Sequence, residues 1–122
     1  MSPSTRNTVA WILQALLAFA FTASGIMKFL HLSDTVTMFG GLGVPGWFAY
    51  LIAGGEVLGG IGLLLPRFVR PAAMGLIIIM LGAIFMHATR IPGGLAKGVP
   101  AIVLLVLLFV ILALRRPAPL AA

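Results

Sequence analysis

Three ionisable side chains interrupt long apolar runs: Lys28, Glu56 and His87. A charge in an apolar membrane interior is costly, so such a group is paired, hydrogen-bonded or placed to act on something. Glu56 can take up or release a proton, and His87 can serve as the second acid or base. Lys28 can hold Glu56 in an ion pair or donate to a carbonyl oxygen. The catalytic candidates are therefore Glu56 and His87. The ligand-binding candidates are Lys28, Glu56, His87, Ser24, Phe21 and Met80, since Ser24 and Phe21 share a helix face with Lys28 and Met80 shares one with His87.

Other chemistry is poorly supported. Two histidines, one glutamate and one aspartate offer no pair of metal ligands at i, i+3 or i, i+4 on any apolar run, so no metal site is expected. No serine–histidine pair stands out as a nucleophile and its base. Met74, Met80 and Met86 are spaced by six residues, which does not keep one helix face, and read as packing. A plainer reading stands beside the ligand site. Lys28 and Glu56 would be a buried ion pair that fixes packing, Lys28 would reach the headgroups, and His87 would lie at an interface.

Composition sets the solvent. Hydrophobic residues make up 61% of the 122, and charged residues 8%. A soluble domain carries about 25% charged residues, and a disordered chain needs low hydrophobicity. Both are excluded, which leaves an integral membrane protein. The net charge is +6, from eight basic residues against Asp34 and Glu56. The basic residues sit singly or in pairs at the ends of apolar runs, with no interleaved aromatic stripe, so nucleic acid is not an expected partner. Without cysteine there is no disulfide, thiolate zinc site or dithiol chemistry.

Four apolar runs must position the candidates: roughly 9–30, 48–65, 71–88 and 99–114. At 1.5 Å per residue they measure about 33, 27, 27 and 24 Å, near the thickness of a bilayer core. Leu95 and Ala96 offer an extension of the last run beyond Lys97. Continuous apolarity without period-two alternation favours helices over barrel strands. The expected fold is all-α, a polytopic integral membrane four-helix bundle forming one domain over 1–122. Arg6 and the small residues Ala23-Ser24-Gly25 also fit a signal peptide, but the first run is expected to persist as a membrane helix. In the first connector, Ser33 is placed to cap a short helix through Phe39, with Gly40 and Gly41 ending it. Gly41-Leu-Gly43-Val-Pro-Gly46 matches a dinucleotide-loop pattern by accident, because it lies between two spans.

Arg6, Arg67, Arg70, Arg115 and Arg116 fall on one side of the membrane, and Lys28, Arg90 and Lys97 on the other. The positive-inside rule then puts both termini in the cytoplasm. Trp11 and Trp47 fall near opposite interfaces. The Cα–Cβ bond tilts toward a helix's own amino end, so Lys28 and His87 lean inward while Glu56, on an oppositely running helix, leans toward them. The three are expected to meet in one outward-facing pocket.

Four segments carry a resemblance to a known family: Ala23-Ser24-Gly25-Ile26-Met27-Lys28-Phe29-Leu30, Phe39-Gly40-Gly41-Leu42-Gly43-Val44-Pro45, Gly54-Gly55-Glu56-Val57-Leu58-Gly59-Gly60-Ile61-Gly62-Leu63-Leu64 and Met80-Leu81-Gly82-Ala83-Ile84-Phe85-Met86-His87. Their order resembles the DoxX-like family of small four-span bacterial membrane proteins, from Ala18 to Leu114. The resemblance implies the bacterial inner membrane and an association with quinone-linked oxidation, with Lys28, Glu56 and His87 as the family's polar positions. The chain has no cofactor-binding or redox motif of its own. The expected role is a non-catalytic or accessory subunit whose pocket takes a quinone or lipid-like ligand. Alternatives are an enzyme moving protons on a lipophilic substrate, and a purely structural subunit. Membrane lipid, a possible quinone, and a second copy or a larger membrane complex are the expected partners.

Overall fold

The computed structural model describes residues 2–91 and 93–116. Within them the chain forms six helices and no strand: α1 (Pro3–Leu30), α2 (Leu32–Gly41), α3 (Trp47–Gly62), α4 (Val69–Thr89), α5 (Gly94–Lys97) and α6 (Val99–Leu114). The architecture is an all-α bundle. α3 packs along α1, α4 joins α3 to α6, and α6 returns to α1.

α1 starts at Pro3, ahead of the apolar run, because Ser2 caps it. The Ser2 hydroxyl accepts from the Thr5 amide at 3.1 Å, and Pro3 supplies a first-turn residue that needs no amide partner. The helix stops at His31, where the backbone turns to φ −117°, ψ 43°. Ala10, Gln14, Leu17, Ala18, Phe21 and Gly25 are its buried residues, a stripe at helical spacing.

Three connector details differ from the sequence expectation. α2 begins at Leu32 with His31 at the cap position, so Ser33 lies inside the helix, where its carbonyl accepts from the Thr37 hydroxyl. Gly40 and Gly41 are the last residues of α2 rather than residues beyond it. Leu95 and Ala96 do not lengthen α6. They form α5, set off by Gly98 and entered through Gly93 at φ 94°, a left-handed conformation that suits glycine.

Lipid gives helices no hydrophobic reason to associate, so close packing must hold them. Here small residues supply it. A Cβ on Gly25 of α1 would lie 2.6 Å from the Ala53 carbonyl oxygen and 2.6 Å from Val57 Cγ2, both on α3. A Cβ on Gly60 would meet Thr22 and stand 3.0 Å from the Ala18 carbonyl oxygen. The other side of α3 meets α4 through Gly59 against Leu76 and Gly62 against Ala72. Leu17, Phe21, Leu63, Leu76, Leu108 and Ile111 fill the space between the helices.

The exterior is as apolar as the interior. Phe19, Leu16, Leu58, Ile78, Phe85 and Phe109 are among many large hydrophobic side chains that point outward, while Gln14 and Glu56 are buried. Water would not solvate such a surface, and lipid would. α1 and α4 are long and apolar enough to cross a membrane. α3 and α6, at 16 residues each, are shorter apolar helices of about 24 Å.

Candidate functional site

Glu56 sits near the middle of α3 with 3% of its surface exposed. Its carboxylate meets the Lys28 ammonium, with Oε1 2.6 Å from Nζ. The contact is ionic, outside the angles of a hydrogen bond. Lys28 Nζ also donates to Ser24 Oγ one turn back on α1, at 2.8 Å. The pairing follows from the backbone. Gly25 lies against Ala53 and Val57, so α1 and α3 run antiparallel at contact distance, and each charged side chain leans toward its own amino end and hence toward the other. The Lys28 carbonyl is in turn held by the Thr35 hydroxyl of α2 at 3.4 Å.

The pair is asymmetric. The Lys28 side chain is 27% exposed and that of Glu56 4%. An ammonium has three N–H donors. One is given to Ser24 while the charge faces Glu56, which leaves donor capacity for a further acceptor.

His87 stands apart from this pair. Gly98 packs against it: a Cβ on Gly98 would lie 3.0 Å from the His87 Cβ and 3.1 Å from its ring Cγ. The register of α3 on α4, with Gly59 on Leu76 and Gly55 on Ile79, puts His87 beside the start of α3, roughly 12 Å along the axis from the level of Glu56. Its Nδ1 is buried and has no hydrogen-bond partner among the described residues. Phe21 and Met80 belong to the core cluster with Leu17, Leu76 and Leu108. The structure therefore brings together Lys28, Glu56 and Ser24; Met80, next to the Ile79 that meets Gly55, lies near the level of Glu56, Phe21 is in the same core cluster, and His87 is displaced along the axis. Among the described residues no cluster of three histidine, aspartate or glutamate side chains has the geometry to hold a metal.

The opposite end of the bundle holds a polar network. Gln14 is fully buried. Its amide donates to the Leu63 carbonyl at 2.7 Å, and its oxygen accepts from Arg115 Nε at 2.7 Å. Arg115 donates as well to Asn7 Oδ1 at 2.9 Å and lies over the Trp11 ring at 5.5 Å. Arg70 donates to the Leu112 carbonyl at 2.8 Å. Gln14 thus ties α1 to the end of α3 and to the end of α6. Replacing it with leucine strands a buried carbonyl and a guanidinium, and Gln14→Leu is expected to cost about 1–3 kcal/mol of stability in a detergent unfolding titration.

A helical bundle with an apolar exterior and polar groups turned inward is built as a membrane protein. The chain belongs to the DoxX-like family, whose model matches residues 12–111. It is also similar to a Bacillus subtilis (strain 168) protein named "Putative oxidoreductase CatD", with 27% identity over 81 residues. That match covers 66% of this chain and 60% of the relative, so the chain spans less than two thirds of the length of that relative. No solved structure matches the chain.

Proposed function

We propose that this DoxX-like protein lies in the bacterial inner membrane with both termini in the cytoplasm. It holds a quinone or lipid-like ligand beside the Lys28–Glu56 pair, as an accessory or binding subunit of a larger assembly or of a homo-oligomer. The observation that carries the reading is the ion pair, which sits inside an apolar bundle with donor capacity of Lys28 unspent among the described residues. A quinone carbonyl oxygen accepts hydrogen bonds and its ring is apolar, so the residues present fit such a group. Lys28 would donate to the carbonyl, Glu56 would hold Lys28 in place or accept a proton, and Ser24 would fix the ammonium. A bound quinone would supply reversible two-electron chemistry. His87 Nδ1, buried without a hydrogen-bond partner among the described residues, offers a second polar position nearer the helix ends.

The name of the Bacillus subtilis relative favours a second reading, an enzyme that passes protons to and from a lipophilic substrate. Glu56→Gln separates the readings. In nanodiscs the wild type is expected to bind a short-chain benzoquinone and the folded variant to bind it at least tenfold more weakly. Unchanged binding with lost turnover would favour the enzyme. Unchanged binding with lost assembly would favour a structural pair.

A further inference from the structure

A second site lies at the other end of the bundle, where α1 begins and α6 finishes. A cavity of about 320 Å³ opens there, walled by Arg67, Arg70 and Arg115 together with Asn7, Trp11 and Gln14. This is the small end of the range for ligand pockets, sized for a headgroup rather than an extended molecule. None of its side chains is acidic. The chain has only two acidic side chains: Glu56 is committed to Lys28, and Asp34 is on α2, which follows the far end of α1.

Three guanidiniums therefore share one recess with no protein counter-charge from a side chain. Their donors are not exhausted. Each guanidinium carries five N–H groups. Among the described residues Arg115 directs two donor atoms to Gln14 and Asn7, and Arg70 directs one to Leu112. Arg67 is exposed and makes no side-chain hydrogen bond among them. Gln14 and the Trp11 ring hold Arg115 in place, so part of the ordering cost of binding is already met in the fold. α4 begins on the same wall, with Val69 and Arg70 of its first turn lining the recess.

From this geometry we infer that the recess binds a phosphate-bearing anion. Arginine recognises phosphate oxygens in forked pairs, and three arginines around one recess can satisfy several oxygens together. The phosphate can come from an anionic lipid headgroup of the surrounding leaflet or from a free phosphate in solution. The recess lies at a helix-end level, where headgroups lie.

Thermal unfolding of the full chain in detergent tests the inference, with phosphatidylglycerol, phosphatidylcholine or inorganic phosphate added at constant ionic strength. Stabilisation by phosphatidylglycerol but not by phosphatidylcholine assigns the site to a lipid headgroup, and stabilisation by inorganic phosphate alone assigns it to a soluble anion. In either case the apparent affinity should fall about tenfold or more in Arg67→Gln and further in Arg67→Gln/Arg70→Gln. Arg67→Gln removes no hydrogen bond or ion pair among the described residues, so it remains informative if the double variant does not fold. Arg116→Gln, which removes a charge just outside the wall, should keep the wild-type affinity. Absence of stabilisation by any of the anions would overturn the inference. So would an equal loss in Arg116→Gln, or full retention in Arg67→Gln.

Discussion

Gly25→Val is expected to push α1 away from α3 and to cost about 3 kcal/mol or more, at the upper end of overpacking effects. The reason is that the first added carbon meets the Ala53 carbonyl oxygen at 2.6 Å, and that atom belongs to a helix backbone. A flexible side chain can rotate away, whereas a helix has to move. The movement would also lengthen the Lys28–Glu56 contact, one turn from Gly25 on α1. Gly54 provides the contrast. Nothing lies within 4 Å of the Cβ position there, so Gly54→Ala should be neutral or stabilise α3 by up to roughly 1 kcal/mol through helix propensity. Unfolding of the two variants in a detergent titration measures the difference. Equal stabilities would show that contact between α1 and α3 does not hold the bundle.

Lys28→Met should be the more damaging half of the ion pair, at about 3 kcal/mol, because it leaves the Glu56 carboxylate uncompensated at 4% exposure. Glu56→Gln should cost less, roughly 1 kcal/mol. The ammonium it leaves behind is 27% exposed, keeps Ser24, and can extend toward headgroups. The double variant Lys28→Met/Glu56→Gln should recover part of the loss, since two neutral groups replace one stranded charge. A double-mutant cycle on these variants reads the coupling directly. Strictly additive effects would mean that the two charges do not depend on one another.

The membrane character and the helical class were legible in the chain, because apolar runs of near-bilayer length admit few alternatives. Lys28 meeting Glu56 was legible too, since the tilt of side chains toward helix amino ends acts on any antiparallel pair. Depth along the helices was harder to read. The tilt of its side chain reads as bringing His87 into one outer pocket with the pair, while the packing of Gly59 on Leu76 and Gly55 on Ile79 sets it beside the start of α3. The start of α2 was misplaced because Ser33 is a good capping residue, whereas the sharp turn at His31 is a backbone feature with no side-chain cap. Least legible was the network around Gln14. Its partner Arg115 is 101 positions away, so no local spacing announces it, and the arginines near it read simply as topology signals. An isolated glutamine deep in an apolar helix was the available clue, since burial of its amide demands partners.

The proposed ligand site beside Lys28 and Glu56 is tested most directly by mass spectrometry of the protein extracted in native lipid. Wild type and folded Glu56→Gln would be compared for co-purifying small molecules. A quinone or other lipophile carried by the wild type and missing from the variant is the predicted result. The same molecules in equal amounts on both proteins, or none on either, would contradict the ligand site and leave the pair as a packing device.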